Sequence, residues 1–166
     1  GGSKVSFLGR RQQHMCFEAQ TRLIFEPEND ERAGLVVLQN DANQLRIEIG
    51  RAGQGKTTAA VISTKTAVHE GKQYFEEKIL GSVTVEPSNS IDIRMDGNYT
   101  KYSFYVSTRS GEWFPVALDA DGSFMGSETS GGFIGAYIGM FAYCDTQDKD
   151  KYAAFDCFTY KGKEEE

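Results

Sequence analysis

The segment GRAGQGKTT, residues 50–58, is the first place where residue types and spacing could do chemistry. Gly50, Gly55, Lys56 and Thr57 satisfy G-x-x-x-x-G-K-[ST], the pattern of a loop whose backbone amides cradle phosphates. Such a loop works between a buried strand and a helix whose first amides face the anion. The residues around it supply neither. QLRIEI, before it, alternates Arg46 and Glu48 onto one face and reads as a half-exposed strand. Residues 57–68, after it, hold seven β-branched residues in twelve, which favours a strand over a helix. The segment is therefore expected to be a hairpin loop, with nucleotide binding at Gly50–Thr57 as a remote alternative.

Other candidate groups are scattered. Asp92 and Asp96 fall on one strand face, but Arg94 stands between them and predicts a solvated charge ladder. Glu76 and Glu77 point to opposite sides. With two histidines, His14 and His69, no Ser-His-Asp arrangement is suggested, and no residue is expected to be catalytic. Cys16, Cys144 and Cys157 lack metal-site spacing and read as small buried hydrophobes, with a Cys16–Cys157 or Cys144–Cys157 bridge left open. RRQQH (10–14) is unusually polar for a segment leading into a buried strand. Alternation puts Arg11 and Gln13 on the face of Phe17, and Arg10, Gln12 and His14 on the face of Glu18. Either set could line a groove and hydrogen-bond sugar hydroxyls, or close into an internal network. Trp113, just after a turn, could stack on a sugar or cap an edge. In GGFIGAYIGMFAYC (131–144), Ile134, Ala136, Ile138, Met140 and Ala142 form an aliphatic face. Phe133 and Tyr137 sit beside glycines on the other, as apolar platforms for a sugar or as fillers of glycine gaps. Asp156 interrupts an apolar strand and asks for a cation or a hydrogen-bonding partner.

The elements that must position these groups are strands. The chain has 166 residues, enough for one domain with its own core, and 18 glycines against 3 prolines. Its net charge of −6, with no basic run, argues against nucleic acid or an anionic membrane as the main partner. No apolar run reaches 18 residues, the opening residues do not read as a secretory signal, and the compartment stays open. Period-two patterns mark about ten strands: residues leading up to Phe25, then 33–39, 44–50, 59–66, 74–86, 90–96, a hairpin over 99–118 turning at RSGE, 131–144 and 152–161. EPENDER (26–32) reads as an acidic turn and NDAN (40–43) as a hairpin turn. No amphipathic helix is expected. Short turns between so many strands predict an all-β fold, an antiparallel two-sheet β-sandwich or jelly roll.

Five segments in order, RRQQH, AGLVVLQND (33–41), YSFYVSTRSGEWFPV (102–116), GGFIGAYIGMFA (131–142) and AAFDCFTYKG (153–162), carry a resemblance. The chain resembles the C-terminal β-sandwich of family 43 glycoside hydrolases, the β-xylosidases and α-L-arabinofuranosidases. The resemblance implies a concanavalin-like jelly roll over 1–162, lacking an upstream first strand, with a solvated tail at 163–166. It implies a partner, a five-bladed catalytic propeller that holds the catalytic carboxylates. The sandwich would then be a non-catalytic accessory module that supports the propeller and contacts xylan or xylo-oligosaccharide. Arg11, Gln13, Trp113, Phe133 and Tyr137 are the candidate sugar contacts. A stand-alone, lectin-like carbohydrate-binding module is the alternative. No cofactor is required; calcium, held by oxygen ligands near Asp156, is the one metal the resemblance suggests.

Overall fold

Alternation decides the layers. In β2 (Cys16–Ile24) Phe17, Ala19, Thr21 and Leu23 are buried, whereas Glu18, Gln20 and Arg22 are only partly covered. In β4 (Asn43–Arg51) Leu45, Ile47 and Ile49 point inward, and in β7 (Ile91–Asn98) Ile91, Ile93 and Met95 do. A strand with one apolar side must stack that side on another sheet, and two such sheets close the core. The computed structural model describes residues 4–24, 31–51, 55–86, 88, 90–109, 111–125, 136–144 and 154–163, apart from the side chains of 4–6, 144, 154 and 156.

The remaining strands are β1 (Lys4–Arg11), β3 (Arg32–Asn40), β5 (Thr57–His69), β6 (Lys72–Val85), β8 (Lys101–Ser107), β9 (Phe114–Asp121), β10 (Tyr137–Cys144) and β11 (Ala154–Gly162). One sheet has six strands in the order β1-β10-β3-β4-β5-β6, the other five in the order β11-β2-β7-β8-β9. Every pairing is antiparallel. Among the described residues there is no α-helix; a short 3-10 turn lies at Ser123–Met125, and Gly55 also has 3-10 geometry. The expected antiparallel sandwich is therefore the observed one.

Turn chemistry fixes the registers. Asn40 Oδ1 accepts the Ala42 N–H at 2.9 Å and Asn43 Nδ2–H at 3.2 Å, which folds the β3–β4 connection foreseen at NDAN. Between β5 and β6 the two turn residues Glu70 and Gly71 have φ of 51° and 76°, the handedness that matches the twist of a two-residue hairpin. At RSGE the Glu112 N–H donates to the Arg109 carbonyl at 3.0 Å, and Gly111 takes φ of 85°.

Between the sheets lie Phe17, Leu23, Leu35, Leu45, Ile47, Ile49, Ile93, Met95, Tyr102, Phe104 and Ile138, all fully buried. Each such side chain stabilises the fold by roughly 1.5–3 kcal/mol before conformational entropy is counted. Val36, Ile62 and Phe141 are also buried, yet they stand apart from this core. Phe141 and Val36 lie opposite Gly34 and Gly139 across the β10–β3 pair, on the outer side of the six-stranded sheet.

The structure departs from the sequence expectation at residues 10–15. One strand was expected to run from Arg10 into Phe17. Instead β1 ends at Arg11 in the six-stranded sheet, and β2 begins at Cys16 in the five-stranded one. The chain crosses between layers over residues 12–15, so the alternation restarts. Gln12 is buried, whereas Gln13 is exposed, the reverse of the expected phase. The cysteine expectation also fails in part: Cys16 is half-buried, Cys157 is exposed, and both are free. EPENDER falls mostly outside the described residues; of it, Glu31 is buried and Arg32 opens β3.

Candidate functional site

The crossing at residues 12–15 gathers most of the polar residues singled out by sequence. The Gln12 N–H donates to the Ala136 carbonyl at 2.7 Å and its Nε2 donates to the His14 carbonyl at 2.9 Å. The Tyr102 hydroxyl donates to Gln12 Oε1 at 3.3 Å. Burial pushes the Tyr102 phenol well above the usual tyrosine range, partly offset by that hydrogen bond. Gln12 thus ties the end of β1 to β8 in the opposite sheet, an internal role that strict alternation hid.

Next to it, Tyr160 of β11 organises an exposed cluster. The Arg10 guanidinium lies 4.4 Å from the Tyr160 ring centroid, and Arg10 Nη2 donates to Gln13 Oε1 at 2.8 Å. The Gln13 N–H donates to the Tyr160 hydroxyl at 3.2 Å, with His14 Nδ1 3.1 Å from the same oxygen. On its other side Tyr160 stacks on Phe17, centroids 5.3 Å apart. Gln13, a candidate sugar contact, is therefore occupied within the chain.

Arg11 and Tyr137 are brought together by the β1–β10 register, in which they are direct partners. The Arg11 guanidinium lies 5.8 Å from the Tyr137 ring centroid, and Tyr137 remains 45% exposed. Beyond them the outer surface drops to Gly9 and Gly139, also partners. A Cβ at Gly9 would meet the Phe7 ring, and one at Gly139 would meet the Leu8 backbone. The Phe7 ring fills the gap at Gly9, Gly139 admits the β1 backbone, and Tyr137 is the ring that stays exposed.

Trp113 lies on the opposite side of the molecule. Arg94 of β7 approaches the Trp113 and Tyr105 rings at 5.6 and 5.0 Å. The same guanidinium pairs with Asp96 at 2.6 Å and Glu18 at 3.3 Å, and Gln20 Nε2 donates to Glu18 at 2.6 Å. The Asp96 hydrogen bond, chiefly, holds the Arg94 pKa above its ordinary value, against desolvation. Arg22 and Asp92 pair at 2.8 Å one step along. The ladder expected around Asp92, Arg94 and Asp96 is present: Asp92 pairs with Arg22, and Arg94 bridges Asp96 and Glu18, which face each other across β2 and β7. Sequence reasoning missed Tyr105 and Tyr160, whose roles depend on cross-strand register and not on local spacing.

Two remaining expectations resolve differently. The Gly50–Thr57 match forms a hairpin: Arg51 pairs with Thr57, Gly50 with Thr58, and the 13-residue β5 follows where a phosphate loop needs a helix. That removes the context for the nucleotide alternative. Phe133 lies outside the described residues, as does the Asp156 side chain, although the Asp156 backbone belongs to β11. Among the described residues no group of three or more His, Cys, Asp or Glu gathers as a metal site.

A family model for the C-terminal concanavalin A-like domain of β-xylosidases matches residues 3–161. A "xylosidase/arabinosidase" of Butyrivibrio fibrisolvens is 28% identical over 155 residues, covering 93% of this chain and 28% of that protein. A "non-reducing end alpha-L-arabinofuranosidase" of Bacteroides ovatus is 25% identical over 157 residues, covering 94% of this chain and 28% of its own length. Among solved structures, a GH43 protein from Bacillus licheniformis superposes with a TM-score of 0.74 at 26% identity, over 95% of this chain and 30% of that one. The chain thus spans under a third of the length of these relatives.

Proposed function

The chain belongs to the family of C-terminal concanavalin A-like domains of β-xylosidases, and from that premise we propose that it serves as the non-catalytic accessory module of a xylan-degrading glycoside hydrolase. The partner is the catalytic propeller domain of such an enzyme, which the sandwich supports. The observation that carries this is a match over nearly the whole of this chain with under a third of each relative. The chemistry agrees. Glycoside cleavage needs two carboxyls about 5–10 Å apart flanking one bond, one of them protonated. Here Asp92 is paired with Arg22, and Asp96 and Glu18 share Arg94, so these carboxylates are engaged within the sheet surface. The test is to incubate the chain with aryl β-xylosides, aryl α-L-arabinofuranosides and xylan. No sugar is expected to be released; release that disappears on Asp96→Asn would overturn the proposal.

A second reading rests on the half-exposed Tyr137 ring beside Arg11. A half-exposed ring with a guanidinium beside it and a glycine floor next to it suits a sugar face and its hydroxyls. Xylo-oligosaccharide is the ligand this reading names. Trp113 is a poorer anchor, since Arg94 occupies its neighbourhood. Calorimetry with xylohexaose should give weak binding that Tyr137→Ala removes and Trp113→Ala leaves nearly unchanged. The opposite pattern would move the contact to the five-stranded sheet.

A further inference from the structure

β5 and β6 outrun their sheet. Pairing of β4 with β5 ends at Gln44–Thr64, whereas β5 and β6 stay paired to His69–Lys72. From Lys65 onward they form a two-stranded ribbon, which is marginal in water without a third strand. On the β5 side a side chain stands in for that strand, with the Thr66 N–H donating to Asn43 Oδ1 at 3.1 Å. On the other side β6 is the edge of the sheet, and residues 72–79 are all exposed. Three of the most exposed large apolar side chains in the described chain sit here: Val68 at 74%, Phe75 at 73% and Ile79 at 65%. Phe75 and Ile79 share the outer face, since they pair with Thr66 and Ile62.

An open, apolar edge usually invites uncontrolled pairing, and charges on the edge are the usual guard. Glu76, Glu77 and Lys78 are such charges, and their order permits one self-pairing. Two copies of β6 laid antiparallel about a two-fold axis at Glu77 bring Phe75 opposite Ile79 of the other copy. Glu76 then faces Lys78 of the other copy, on the opposite side of the sheet. The two Glu77 residues meet on the axis, each with its own Arg46 3.5 Å away. Centring the pairing at Glu76 or Lys78 instead sets Glu77 against Phe75 or Ile79 and loses the opposite-charge pair. Such matching along an edge specifies a partner as well as a register.

We propose that this edge of β6 docks a second copy of the chain, joining the two six-stranded sheets into one continuous sheet across a two-fold axis. This is independent of the sugar and propeller readings. The test is sedimentation velocity of the chain from low to high micromolar concentration. A concentration-dependent dimer is expected. Glu76→Lys should weaken it by about tenfold or more by opposing like charges, and adding Lys78→Glu should restore it. These side chains are exposed, so unchanged melting of the dilute variants separates lost association from lost folding. Under mild oxidation Glu77→Cys should give a disulfide-linked dimer, well above the parent chain treated alike and above His69→Cys. A chain that stays monomeric throughout overturns the proposal, and so does a dimer that ignores Glu76→Lys or is not rescued by the swap. Coverage of this edge by another domain would show as the monomeric result.

Discussion

The outer faces of the two sheets solve the same problem in opposite ways. On the five-stranded sheet, Arg22, Asp92, Arg94, Asp96, Glu18 and Gln20 pair with one another across β2 and β7, and rings flank the central guanidinium. On the six-stranded sheet, Val36, Ile62 and Phe141 are buried although they face away from the main core. Glycines at 9 and 34 lie against the Phe7 and Phe141 rings there, and Arg46 with Glu48 covers part of the same side at 2.6 Å. One face is held by electrostatics close to water, the other by apolar packing outside the core. Electrostatic surfaces tolerate substitution and respond to salt, whereas packed ones do neither.

Substitutions can break that contrast. Phe141→Ala should cost most, about 3 kcal/mol, as a buried ring is deleted over Gly34 with no means of collapse. Urea unfolding would read it as a lower midpoint at unchanged slope, with the loss the same in high salt. Arg94→Met should cost about 1 kcal/mol, because the site is partly solvated and Asp96 and Glu18 are left facing each other. That loss should grow at low ionic strength. Arg22→Ala, whose side chain is 43% exposed, should cost only a few tenths of a kcal/mol against Asp92. If Arg94→Met proved costlier than Phe141→Ala, the two faces would have been assigned the wrong forces.

Much of this was readable before any coordinates. The inward sets of β2, β4 and β7 follow from alternation, because each strand is covered on one side only. NDAN and RSGE mark their turns through side-chain and glycine chemistry. The charge ladder at Asp92, Arg94 and Asp96 is equally local. What escaped depends on partners distant in sequence. Alternation carried through residues 10–17 misassigned Gln12 and Gln13, because a chain changing layers resets its phase. Tyr160 and Tyr105 are ordinary strand aromatics until β11 and β8 are laid beside their neighbours. Likewise, Val36 and Phe141 needed the β10–β3 register to be seen as an outer cluster. The pairing of Arg11 with Tyr137 joins residues 126 positions apart through β1 and β10.

The place of β10 sets the order in which the molecule can assemble. This strand, residues 137–144, lies between β1 and β3 and touches both along its length. During synthesis β3 to β6 can zip as a meander soon after they emerge, but β1 has no neighbour until residues 137–144 have been made. Closing a loop of that size is slow and leaves an early strand waiting, so maturation is governed by a late insertion rather than by the hairpins that form first. A nascent chain halted before residue 137 would leave β1, β2 and β3 each lacking a neighbour, a state prone to misassociation.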